Sequence, residues 1–136
     1  MDSNVSIEED VKNFLDKIGC VYTDDDYWLL KFCIGKITDT IKNECNVQSI
    51  PEGLQHIAVQ MAVGDFLYNK KNSGMTDAFT NIDFTAAVKT IQEGDTNLTF
   101  AIGDGVLTPE QKLDNLISYL MSSGRGQFVT YRRLKW

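Results

Sequence analysis

A single histidine, His56, two prolines and three cysteines in 136 residues leave little material for several kinds of chemistry. Cys20, Cys33 and Cys45 form no Cys-x-x-Cys pair and share no cluster with His56, so the sequence offers no convincing set of zinc ligands. They read as buried or half-buried thiols outside any disulfide. No apolar run approaches the roughly 18 residues that a membrane-spanning helix needs. The opening Met1-Asp2-Ser3-Asn4 has no basic stretch leading into an apolar one, so the expectation is maturation in the cytosol without a membrane partner. Gly-x-Ser-x-Gly, a Walker loop, His-Glu-x-x-His and a dinucleotide fingerprint are all missing. With no nucleophile or metal to work with, His56, with Glu52 four residues before it, reads as a satisfied surface or subunit-interface histidine. The expectation is therefore no enzyme, no catalytic or metal residue and no cofactor.

What is present is ordinary globular material, 43% hydrophobic and 24% charged, at a length suited to one domain over residues 1–136. The charge is unevenly placed. Residues 124–136 carry Arg125, Arg132, Arg133 and Lys135 and no acid, which leaves −10 on residues 1–123 against −6 for the whole chain. An acidic body repels nucleic-acid phosphates, while a short basic end remains available to a partner.

The apolar spacing predicts a mainly α fold, a small four-helix bundle with three helices within residues 1–74. Ile7, Val11, Phe14, Leu15 and Ile18 fall on one face of a first helix over 6–18, with Ser6 and Glu9 as a capping box and Gly19 as the stop. Thr23 or Asp24 starts a second helix to about Glu44, inwardly lined by Tyr27, Leu30, Ile34, Ile37 and Ile41. Its first half also carries Trp28, Leu29, Phe32 and Cys33, and apolar residues on more than one face imply two neighbours, a second subunit among them. Asp24, Asp25 and Asp26 are consecutive and cannot converge on one ion; they suit a helix N-terminus. Pro51 at a first helical position opens a third helix to Tyr68, the central one, in which Ala58, Ala62 and Gly64 permit close approach of another helix. The polar run Asn69 to Gly74 is expected to end it.

Beyond residue 74 the period shifts toward two. Val88, Thr90, Leu98 and Phe100 flank Glu93-Gly94-Asp95-Thr96-Asn97, which predicts a β-hairpin arm over 86–102 between helices three and four. Thr108-Pro109-Glu110-Gln111 combines an N-cap, an N1 proline and a capping-box glutamine, opening a last helix over 108–123. An extended tail over 124–136 follows, with Phe128, Tyr131 and Trp136 among its cations. An aromatic, basic end is costly to leave in water, so it is expected either to fold back on its own bundle or to anchor on another chain.

Three pieces in this order, Ile91-Gln92-Glu93-Gly94-Asp95-Thr96 with Leu98-Thr99-Phe100, Thr108-Pro109-Glu110-Gln111-Lys112-Leu113 with Leu116, and Tyr131-Arg132-Arg133-Leu134-Lys135-Trp136, resemble the head-tail connector family of long-tailed bacteriophages, also called head completion or adaptor proteins. The resemblance covers the second half of the chain and implies a structural virion protein of the neck, assembled in the host bacterial cytoplasm. Such a protein forms a homo-oligomeric ring, a dodecamer on the portal, and extends the DNA channel between the portal protein and a downstream head-tail joining or tail protein. Packaged DNA passes through without sequence-specific binding. On this reading Gln92, Glu93, Gly94, Asp95, Thr96, Leu98 and Phe100 meet a neighbouring subunit. Phe128, Tyr131, Arg132, Arg133, Leu134, Lys135 and Trp136 form the portal-docking tail. The alternative, a small helical cytosolic regulator or DNA-binding protein, is disfavoured by acidity and by the lack of a one-sided row of cations on any helix.

Overall fold

The computed structural model describes residues 3–20, 22–72, 74, 82, 83, 108–122 and 128. Among these the chain is mainly helical, with α1 (Ser3–Ile18), α2 (Tyr27–Cys45), α3 (Gln55–Asn72) and α4 (Pro109–Ser122). Short 3₁₀ turns, Asp24–Asp26 and Glu52–Leu54, lead into α2 and α3. The predicted hairpin arm over 86–102 lies outside the described residues. So does the predicted extended tail, apart from Phe128, where the backbone is helical and not extended.

Helix α3 is the centre of the bundle, and α1, α2 and α4 all pack on it. Every residue from Ile57 to Leu67 is buried, so the helix is enclosed on all sides, as a central helix must be. The other helices bury one stripe each. Ile7, Val11, Phe14, Leu15 and Ile18 come from α1, Leu30, Cys33, Ile34, Ile37 and Ile41 from α2, and Leu113, Leu116, Ile117 and Leu120 from α4. All three cysteines are buried and form no disulfide.

Local signals in the sequence set several boundaries. Gly19 has φ of 80°, and the amides of Gly19 and Cys20 donate to the carbonyls of Asp16 and Leu15, the paired bonds of a Schellman ending. Thr108 and Gln111 cap α4 reciprocally. The Gln111 amide donates to the Thr108 hydroxyl (3.1 Å) and the Thr108 amide to Gln111 Oε1 (3.0 Å). Asn46 ends α2 at φ 54°, ψ 49°, a left-handed conformation that asparagine tolerates better than most residues.

Three expectations are corrected. The backbone is already helical at Ser3, so Ser6 lies inside α1 and is not its N-cap. Pro51 stands ahead of the third helix in extended backbone (ψ 143°), capping the Glu52–Leu54 turn through a 2.9 Å bond from the Leu54 amide to its carbonyl. Helix α3 runs on to Asn72, through a segment whose composition reads as a turn. The reason is tertiary. Lys70 pairs with Asp26 and Lys71 with Asp114 of α4, and both cations also suit the negative end of a helix.

Gly64 marks the closest approach of two helices. A Cβ there would lie 2.9 Å from Leu120 Cβ, 2.9 Å from Met121 Cγ and 3.3 Å from the Met121 amide nitrogen. Leu120 Cβ is fixed to the backbone of α4, so the helices would have to separate. Gly64→Ala is therefore expected to lose about 1–3 kcal/mol through overpacking, even though alanine favours a helix by about 1 kcal/mol. A urea titration checks the sign; a more stable variant would show that α4 is loosely seated.

Candidate protein-docking surface

Helices α2 and α3 run antiparallel, as two ion pairs between their ends require. Asp26, just before α2, meets Lys70 near the end of α3 at 2.8 Å; Lys36, midway along α2, meets Asp65 at 3.0 Å. Asp26 is fixed twice, because its Oδ2 also accepts the Thr23 amide at 3.0 Å. Burial opposes its charge, but the hydrogen bonds from Lys70 and Thr23 and the Lys70 charge outweigh that and hold its carboxyl below the usual range. Lys70 itself is buried, so this pair is part of the interior.

Asp65 is buried on the same seam. Its Oδ1 takes the Lys36 ammonium, and its enclosed Oδ2 has no hydrogen-bond partner among the described residues. Burial first, then the hydrogen bond to Asp65 and its charge, push Cys33 up to about 12, so the thiol keeps its proton. Asn69 Nδ2 donates to the Asp65 carbonyl (2.8 Å) and approaches Cys33 Sγ (3.8 Å). A protonated, enclosed thiol is no nucleophile. The cluster acts as a polar lock between α2 and α3. Among the described residues no three His, Cys, Asp or Glu side chains group as a metal site, and no helix is long and apolar enough to cross a membrane. His56 is exposed near the start of α3.

The outer flank of this seam is different in kind. Trp28 is 71% exposed and Phe32, one turn later, 53%, and their rings stack with centroids 5.5 Å apart and planes 17° from parallel. Tyr68, 48% exposed, stands one turn after Asp65 on α3. Exposed Asp24, in the turn that leads into α2, and exposed Asp39, on α2, lie on either side of the stack along the chain. Tyr27 faces elsewhere, with Lys12 and Lys31 over its ring at 4.5 and 4.7 Å.

Of the expected contact residues, the structure places Phe128. It is 1% exposed, within the chain's own core, and its carbonyl accepts from Cys45 Sγ at 3.6 Å, at the end of α2. This corrects its expected role as an anchor for another protein: the ring is already buried in its own core. Tyr131, Arg132, Arg133, Leu134, Lys135 and Trp136 lie outside the described residues, as do Gln92, Glu93, Gly94, Asp95, Thr96, Leu98 and Phe100. The stacked pair is visible in the sequence as aromatics four apart on a helix whose inward face is already filled; the two long-range ion pairs are not. Comparison with known proteins finds no family model, no curated protein and no solved structure that matches the chain.

Proposed function

We propose that this chain is a structural, non-enzymatic head-tail connector of a long-tailed bacteriophage, working as a ring between the portal protein and a downstream joining or tail protein. Its finer architecture on this reading is a four-helix bundle with a hairpin arm over 86–102 and a docking tail after Phe128. The observation that carries the proposal is the exposed Trp28–Phe32 stack on a bundle whose core is otherwise closed. Large aromatics held at the surface in fixed geometry, beside a polar seam with no reactive group, suit protein contact. The connector identity rests on the ordered sequence pieces in the second half of the chain. An acidic body lining a channel would let DNA pass without sticking.

Truncation after Phe128 tests this reading while keeping the Phe128 ring in the core. The shortened chain is expected to fold as the full chain does and to lose attachment to portal-bearing capsids, measured by co-sedimentation. Full retention on those capsids contradicts the proposal.

A further inference from the structure

We infer that the Trp28–Phe32 flank of α2 is the seat for the basic C-terminal segment, residues 131–136, of a second copy of this chain. The inference rests on the ring reading above and names the surface that one copy offers the next; it gives residues 131–136 to the neighbouring copy in place of the portal protein, so that truncation costs portal attachment by undoing the ring.

Three observations select this occupant. The first is charge. The stripe Asp24, Trp28, Phe32, Asp39 has a carboxylate at each end and two stacked rings between, and Lys36 alongside is already engaged by Asp65. The segment Tyr131-Arg132-Arg133-Leu134-Lys135-Trp136 is its complement, three cations among two aromatics and a leucine. Guanidinium groups stack on indole and phenyl faces and pair with carboxylates, so both halves of the stripe have partners in one strand of six residues. The lengths also agree: Asp24 to Asp39 covers roughly 22 Å of helix, and six extended residues cover roughly 20 Å.

The second is where the segment is rooted. Phe128 is fixed at Cys45, about 9 Å along the axis from Asp39 and about 120° round the helix, a path of roughly 14 Å. The three steps from Phe128 to Tyr131 reach at most about 11 Å, comparable with that path, so a neighbour's segment can lie along the whole stripe with less constraint than the chain's own. Donor and seat then occupy different ends of α2, a head-to-tail relation that closes into rings.

The third is size. The exposed parts of Trp28 and Phe32 amount to roughly 250 Å², against roughly 800 Å² on each side of a stable interface. One such contact is too small to hold a free dimer, but repeated around a ring on a template it adds up.

Mixed cross-linking of full-length chains tests the inference. Gly35 offers a cysteine position one turn beyond Phe32 with open space around its Cβ, leaving both rings in place. Gly35→Cys chains are mixed with Leu134→Cys chains in the presence of portal protein and mildly oxidised; the native thiols are buried. The expected product is a covalent pair with one chain of each kind, and its yield should fall roughly thirtyfold when Trp28→Glu and Phe32→Glu are added to the Gly35→Cys chain. Rings that form without the mixed product overturn the seat but leave the connector reading standing. Cross-linking confined within a Gly35→Cys/Leu134→Cys double variant shows that the segment seats on its own chain and overturns it too. Absence of any assembly overturns both, as does a cross-link from Leu134→Cys to portal alone without rings of this chain.

Discussion

Phe128→Ala is expected to destabilise the protein by about 3–5 kcal/mol, the usual cost of emptying a phenylalanine site in a closed core. The ring is 1% exposed, and its backbone is tied to Cys45 at the end of α2, so little collapse around the void is available. Denaturant titration should show a lower midpoint with an unchanged slope. The consequence reaches into how the tail must be studied. Cutting after Gln127 removes this core side chain and confounds folding with docking, whereas cutting after Phe128 separates them. A loss under about 1 kcal/mol for Phe128→Ala would place the ring outside the core and the root of the tail elsewhere.

The second large effect belongs to Asp26 and Lys70. Removing one partner leaves a charge stranded in the interior, so Asp26→Asn and Lys70→Met should each cost about 3 kcal/mol. The double variant should recover much of that, since two matched neutral side chains avoid the desolvation that the pair carries. A double-mutant cycle reads the difference directly. The pH dependence has a definite sign. Because Asp26 titrates below its unfolded value, its contribution is present above the ordinary aspartate pKa of about 3.9 and fades as pH falls through the lowered one. Asp26→Asn should therefore flatten the acid side of the stability profile. Equal acid sensitivity in both proteins would assign that slope to other carboxylates.

Much of the helical framework was legible because its signals are local. Gly19 stops α1 through its own φ, Thr108 and Gln111 cap α4 within one turn, and the apolar and small run in α3, interrupted only by Gln60 and Asp65 between Ile57 and Leu67, announces a central helix. What sequence could not convey is contact between distant positions. Lys70 and Asp26 are 44 residues apart, Lys36 and Asp65 29, and nothing in either neighbourhood says that the partner is near. For the same reason the last turn of α3 reads as a polar break until its two lysines are seen to meet Asp26 and Asp114. The candidate surface was half visible. Trp28 and Phe32 lie off the inward stripe of α2, which argues for a second contact, but their stacking and the bracketing carboxylates emerge only when the helix is built. Phe128 was the converse case, an aromatic in a basic tail that serves the core.

The most direct test of the proposal that this protein works by contact is its mass in solution, alone and mixed with portal protein. The account predicts a multi-subunit complex on the portal, whatever the size of the chain by itself. A chain that keeps the same mass with and without portal, and is missing from the necks of assembled particles, contradicts it.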